Sequence, residues 1–314
     1  MADNIHRSDT ETNVIRDELI AGLCAPCATT SPKYLYDALG SKLFEAICEL
    51  PEYYPTRTEA AIFERHGADI AESVGAGATL IDLGAGNCAK AARLFPLLAP
   101  SQYVPIDISV DFLHAAVTQL ARQFPAIAML PLGMDFSSAL DLPPQVSRTR
   151  RLFFYPGSSI GNFHPDDALA FLHRMREADG DLLIGVDLVK DRALLDAAYD
   201  DALGVTASFN LNLLNHLNRL LGADFNLREW RHRGYFNPQE SRIEMHLEAR
   251  HDVVVRWQGG QRRFGEGERI HTENSYKYTP DSFAGLLREA GYQPARTWTD
   301  ERDWFMVCHA RRSQ

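Results

Sequence analysis

Cysteine is scarce and odd in number: the 314 residues hold five, Cys24, Cys27, Cys48, Cys88 and Cys308. So few, so scattered, they argue against a disulfide framework and read as reduced thiols, so we expect a cytoplasmic protein. Basic residues are outnumbered, 32 Lys and Arg against 42 Asp and Glu, for a net charge of −10. Such an acidic chain is poorly suited to a polyphosphate, which argues against a nucleic-acid partner. It suits small neutral or cationic molecules. No apolar run approaches the roughly 20 residues of a membrane span. The N-terminal MADNIHRSDTETN lacks the basic and apolar regions of a signal peptide, so no membrane partner is expected. Repeats, low-complexity tracts and long linkers are lacking too. Cys24-Ala-Pro-Cys27 has CxxC spacing, but no second CxxC or His pair completes four ligands, and the pair follows a helical pattern. It reads as incidental thiols, and we expect no metal. Nor do the 11 histidines form a triad or metal signature.

What is present is periodic. Helical patterns cover 12–24, 40–50 and 57–74, the last two separated by the loop PEYYPTR, bounded by Pro51 and Pro55. From residue 79, strands alternate with helices. The strands are 79–83, 102–106, 127–132, 151–155 and 181–187; the helices are 88–99, 109–123 and 165–177. Near-continuous apolar strands in this alternation predict a parallel, doubly wound α/β sheet covered on both faces. Residues 190–222 then read as helical and 228–271 as an antiparallel meander with a QGGQ turn. A helix at 280–290 and a strand at 304–310 close the chain. The simplest architecture is a sheet domain, 58–189 with 278–314, interrupted by a lobe of 190–277 that the segment 1–57 joins.

Ligands of open α/β sheets bind outside the carboxyl ends of the strands. Here those ends carry Gly84-Ala85-Gly86, Asp107, Asp135-Phe136, the Gly157–Asn162 loop and Asp187. Glycines admit close backbone approach, and an acid after the second strand can accept both ribose hydroxyls. A nicotinamide dinucleotide and S-adenosylmethionine both need these devices, and a tight packing turn would look the same. Three features favour S-adenosylmethionine. Ala89 stands where G-x-G-x-x-G has its third glycine. Asp82 lies inside the first strand, where a sulfonium tolerates a carboxylate better than a pyrophosphate does. Asp135 can accept from an adenine amine while Phe136 packs on its face.

Together, LPEYYPTRTEA, IDLGAGNCAK, FYPGSSIGNF, GVDLVKD, AYDDALGVTASFN and HTENSYKYTP resemble the histidine Nα-methyltransferases of ergothioneine biosynthesis, from about residue 30 onward. The resemblance implies a class I, Rossmann-like S-adenosylmethionine-dependent methyltransferase sheet with an inserted α+β substrate-binding lobe, a monomer by our expectation. It implies three methyl transfers to the α-amine of L-histidine, giving hercynine. The matching cofactor positions are Gly84, Lys90, Asp107, Asp135 and Phe136, beside Asp82 and Gly86 of the same loop. The matching substrate positions are Tyr53, Gly157, Asn162, Tyr199, Met245, Glu273 and Ser275, with Tyr36 and Asn162 assigned to the reacting end. Asn274 and Tyr276 stand where the better-known bacterial form has Val and Cys.

On these assignments Asn162 and the Tyr199 hydroxyl meet the substrate carboxylate, and Glu273 and Ser275 serve the two imidazole nitrogens. The Tyr53 and Tyr36 rings flank the imidazole or the growing ammonium. Each has a plainer alternative on local grounds. Tyr53 could cover a core edge, Asn162 could cap the helix at Pro165, Met245 could be a core strand residue, and Glu273 could be solvated.

Overall fold

The computed structural model describes residues 9–137 and 139–313. The start of the N-terminal stretch MADNIHRSDTETN lies outside them. The chain divides into two compact units, residues 1–54 with 191–274 and residues 55–190 with 275–314. Its joints at 54/55 and 274/275 come three residues before those expected, and the one at 190/191 comes one after. The first shift has a simple cause. Tyr54–Val74 is one unbroken helix that leaves the first unit at its first residue.

The second unit is built on a sheet of eight strand segments. β1 (Thr79–Leu83) and β2 (Gln102–Asp107) run parallel. β3 comes in two pieces, Ala128–Met129 and Leu132–Gly133, each parallel to β2. β4 (Arg151–Tyr155) pairs with β1, and β5 (Gly180–Asp187) with β4, both in parallel. β6 (Tyr292–Thr299) pairs antiparallel with β7 (Phe305–Arg312), which is antiparallel to β5. The order is therefore 3-2-1-4-5-7-6 with only β7 reversed, the doubly wound class I methyltransferase sheet. Ile81, Phe153 and Ile184 join one core, and Leu80, Phe154 and Leu183 join the other. Alternate residues thus serve opposite faces, which is why these strands read as continuous apolar runs.

β6 was not expected from the sequence. YQPARTWT contains a proline and few buried positions, because it is an edge strand with an irregularity at Pro294/Arg296. Proline survives in sheets at such places. β3 was expected as one strand and is broken between Met129 and Leu132.

In the first unit, helices Asp9–Cys24, Ala38–Cys48, Arg192–Tyr199 and Val205–Leu221 accompany a four-stranded sheet. The helical stretch expected at 190–222 is interrupted where the Asp201 carboxylate accepts the amides of Val205 and Thr206 and starts a new helix. The expected meander is two sheets. Strands Trp230–Asn237, Arg242–Ala249 and Arg269–Tyr276 line up with Ala28–Thr29, whereas Val253–Trp257 and Gly260–Phe264 form a separate hairpin about the QGGQ turn. Gly259 supplies the positive φ, +90°, that this turn requires. Cys24 and Cys27 are free and exposed. No helix among the described residues is long and apolar enough to cross a membrane.

Burial also sets a pH response. His309 in β7 is bonded to Ser73 and lowered by burial to about 4, and His246 is likewise lowered to about 4. Unfolded histidine titrates near 6.5, so on acidification the unfolded chain takes up these protons first. Their contribution is nil above about pH 6.5 and turns against folding as pH falls toward about 4. Asp82, raised by burial to about 7, acts in the opposite sense. We expect the midpoint of thermal unfolding to fall over that acid range, and to fall less in His309→Asn; identical pH profiles for the two proteins would refute the assignment.

Candidate active site

The glycine turn after β1 is shaped for close approach. Gly84 and Gly86 have φ of +71° and +53°. A Cβ on Gly86 would meet nothing within 4 Å, and one on Gly84 would meet only the Phe136 ring, at 3.7 Å. The backbone is bare there, and an aromatic face lies beside it, as a flat adenosine ligand requires. Asp107, at the end of β2, accepts the Gly86 amide on Oδ2 and the Ser109 amide on Oδ1, each at 2.9 Å. An ionised carboxylate has about four acceptor positions, so two ribose hydroxyls still find lone pairs. The Met134 amide donates to the Asp107 carbonyl and brings Asp135-Phe136 to this end of the sheet. Asp135 accepts from the Ser137 amide at 3.0 Å. The residues present therefore fit S-adenosylmethionine. Gly84, Gly86, Asp107, Asp135 and Phe136 would hold it, with the exposed side chain of Ile108 next to Asp107.

Asp82 is a different kind of group. It is 2% exposed, and its Oδ2 accepts the Tyr103 hydroxyl at 2.7 Å. Burial raises its carboxyl to about 7. Closed off and bonded to Tyr103, it braces the loop from within.

A residue absent from the sequence reading organises the rest of this unit's site. Glu59 lies on the helix Tyr54–Val74 and is 1% exposed. Its Oε2 accepts from Lys90 Nζ at 2.7 Å, and its Oε1 from the Gly157 amide at 2.6 Å. One carboxylate thus ties the loop after β1 to the loop after β4. Gly157 has φ +77°, and a Cβ there would lie 3.0 Å from Lys90 Nζ. The positive φ is what calls for glycine. The signal was legible as a charge in an apolar stripe, since Glu59 and Ile62 share a helix face at i,i+3.

The loop continues through Ser158, a non-glycine residue at φ +58°, whose Oγ accepts the Asp187 amide at 2.8 Å. Asn162 ends the short helix Ser159–Asn162 and does not cap the next one. That helix starts at Pro165, so its N-cap is His164. His164 Nδ1 lies 3.1 Å from the Tyr276 hydroxyl, and a Cβ on Gly161 would lie 2.7 Å from the Tyr276 carbonyl. Tyr276 is therefore packed with the Asn162 loop.

The first unit holds an aromatic cluster. Tyr36 packs on Phe44 and Phe209, with ring centroids 5.5 and 5.4 Å away, and Tyr53 packs on Phe44 and Tyr199, at 6.1 and 5.9 Å. Burial pushes the Tyr53 hydroxyl well above its ordinary value, helped by Tyr199, Cys48, Tyr36 and the Glu273 carboxylate. The structure thus gathers Tyr36, Tyr53 and Tyr199, with the Glu273 charge felt at Tyr53. Glu273 is not solvated, being 8% exposed. Met245 is fully enclosed in its strand, beside Ile243 and Leu247 in the pattern of a core residue.

Tyr199 is held by groups the sequence reading missed. Its carbonyl lies 2.8 Å from His232 Nε2, which must donate, so His232 Nδ1 accepts from the buried Asn210 amide at 2.9 Å. Asn210 also donates to the His246 carbonyl. Gly234 admits this approach, because a Cβ there would fall 2.4 Å from the Tyr199 carbonyl.

The family model for S-adenosylmethionine-dependent, histidine-specific methyltransferases matches residues 15–312. The chain belongs to this family. It is 39% identical over 306 residues to the histidine N-alpha-methyltransferase of Mycolicibacterium smegmatis, covering 95% of this chain and 94% of that one. It is 39% identical over 297 residues to the histidine N-alpha-methyltransferase of Mycobacterium tuberculosis, covering 91% of each. Ergothioneine biosynthesis protein 1 of Neurospora crassa is 30% identical over 277 residues, which are 84% of this chain and 31% of that longer one. S-adenosylmethionine is accordingly the methyl donor.

Glu59→Gln keeps the shape and removes the charge, leaving one oxygen to serve both Lys90 and Gly157. We expect kcat/KM to fall by about tenfold to a hundredfold, equivalent to about 1.4–2.7 kcal/mol, and S-adenosylhomocysteine to bind more weakly. Steady-state kinetics and calorimetric titration measure both; wild-type values for both would show that Glu59 does not organise the site.

Proposed function

We propose that this protein transfers three methyl groups in succession from S-adenosylmethionine to the α-amine of L-histidine, forming hercynine as the first step of ergothioneine biosynthesis. The observation that best supports this acceptor is Glu273. A buried carboxylate whose charge reaches the Tyr53 hydroxyl, with Ser275 two residues on, offers an acceptor to an imidazole N–H and a hydroxyl to the second nitrogen. Side chains two apart on a strand share a face.

When bound, the cofactor supplies a methyl carbon activated by a sulfonium. The chain's own residues then align the acceptor nitrogen, and for an in-line displacement alignment provides much of the rate. The Asn162 amide is a donor suited to the substrate carboxylate, and the Tyr199 hydroxyl is another. Tyr36 lies at the amine end, and the rings of Tyr36 and Tyr53 attract the nitrogen as it becomes cationic, a cation–π contact of about 0.5–2 kcal/mol. That attraction persists on the quaternary product, which has no N–H left to bond. Each transfer needs a neutral amine, so between transfers the ammonium gives its proton to water.

Mass analysis after incubation with S-adenosylmethionine and a panel of amino acids tests the reading. We expect a product three methyl groups heavier from histidine; its absence, with cofactor binding intact, would overturn the acceptor. Glu273→Ala should raise the histidine KM by about tenfold or more, since a site built to bond a ring N–H loses most when that partner goes. An unchanged KM would remove Glu273 from imidazole recognition.

A further inference from the structure

The chain reversal that carries Cys24 and Cys27 is held from several sides. Helix Asp9–Cys24 ends on the first thiol, and the edge strand Ala28–Thr29 starts directly after the second. A Cβ on Gly22 would fall 2.5 Å from the Thr29 carbonyl oxygen, so the backbone meets itself at these two positions. Cys24 and Cys27 lie two positions inside that contact, one on each arm, with Ala25-Pro26 between them. Leu23 and Ala28, which flank the pair, are 0% and 2% exposed and anchor both arms. The Ala25 amide donates to the Gly22 carbonyl. Arg262, from the separate hairpin, donates to the Leu23 and Ala25 carbonyls on either side of Cys24. Ala28 and Thr29 pair in parallel with Ile270 and His271, and the Thr30 amide donates to the His271 carbonyl at 3.0 Å. Only the two thiols are left outside, free and exposed. A pair that reads as incidental in the amino-acid order thus has a fixed setting.

A tight reversal brings its first and fourth Cα within about 7 Å, and a disulfide spans about 4.4–6.8 Å between Cα atoms. The other cysteines are set apart from such chemistry. Cys88 and Cys308 are buried, which pushes both thiols up to about 12, and Cys48 is half-buried at the end of another helix. Exchange needs an accessible thiolate, which singles out the exposed pair. We propose that Cys24 and Cys27 form a reversible dithiol–disulfide site whose reaction partner is a low-molecular-weight disulfide. The thiolate of one cysteine attacks a sulfur of the small disulfide, forming a mixed disulfide and releasing one small thiolate. The thiolate of the other cysteine attacks the protein sulfur of that mixed disulfide, closes the Cys24–Cys27 bond and releases the second small thiolate. The pair gives up two electrons and two protons, and the small disulfide takes them up as two thiols. In a reducing compartment such a bond is transient, so the dithiol is the resting form and the bond records exposure to oxidised small thiols.

The test incubates the full chain with oxidised glutathione, followed by intact-mass analysis and peptide mapping without reduction. We expect a product lighter by two hydrogen atoms with no glutathione attached, in which Cys24 and Cys27 alone have lost their reaction with an alkylating reagent; a dithiol reductant should restore both. Cys24→Ser and Cys27→Ser should each stop at a glutathione adduct on the remaining cysteine of the pair. The folded reversal should favour closure over the mixed disulfide by about tenfold or more relative to the same chain in denaturant, because the fold raises the effective concentration of one thiol at the other. Glutathione adducts that persist on both cysteines without an internal bond, an absence of reaction at the pair, or equal closure in the folded and denatured chain would overturn the proposal.

Discussion

The second unit depends on the carboxylate of Glu59. A carboxylate with 1% exposure has surrendered its water, and such a group persists only when both oxygens are bonded. Here they are, by Lys90 and by the Gly157 amide. The same desolvation that makes the charge costly makes its two bonds obligatory, so the loops after β1 and β4 are held in register with each other. The glycines around it follow. A Cβ on Gly185 would stand 2.2 Å from Glu59 Oε1, and one on Gly157 would crowd Lys90. Lys90 is 42% exposed along its side chain and keeps part of its hydration, so the pair is anchored from the carboxylate side.

The first unit solves a related problem with neutral groups. Tyr199 ends a short helix, where carbonyls lack intrahelical partners. His232 takes that carbonyl, and Asn210 takes His232 in turn. Burial lowers His232 and keeps it neutral, which suits a ring that must donate on one nitrogen and accept on the other. A charged imidazole would turn the accepting nitrogen into a second donor facing the Asn210 amide. Neutrality is thus part of the positioning, and the chain achieves it by exclusion of water.

Most of the fold was legible because its signals are local. Buried parallel strands make apolar runs, and the rule that ligands bind at strand ends is enough to group Gly84, Asp107, Phe136 and the Gly157 loop from the amino-acid order alone. β6 escaped because an edge strand with a proline carries little apolar pattern, and the two sheets of the first unit were merged because strand patterns do not say which strands pair. At the site, charge was the blind spot. Lys277 looks like a solvated residue in sequence, and Glu59 shows only as a charge on an apolar helix face, since the partners that bury them lie 31 to 98 positions away. His232 and Asn210 were invisible for the same reason. Asp82 was noticed, but its partner Tyr103 sits on the next strand and gives it a bracing role.

The blocks that carried the family resemblance have a physical counterpart in the course of the chain. It passes between units at 54/55, 190/191 and 274/275, and these points fall in EYYPTR, GVDLVKD and TENSYKY. Tyr53 and Glu59 bracket the first crossing, Asp187 and Lys190 lead into the second, and Glu273 and Ser275 straddle the third. A residue at a crossing answers to the packing of one unit and is joined by a few peptide bonds to the other, so two sets of constraints act on its identity. Ser275 illustrates the consequence. Its oxygen is held by a lysine of the second unit, while Glu273, two peptide units earlier, sits in the electrostatics of the tyrosine cluster in the first. A substitution at such a point therefore acts on the packing of one unit and, through the continuous backbone, on the strand or helix that leads into the other.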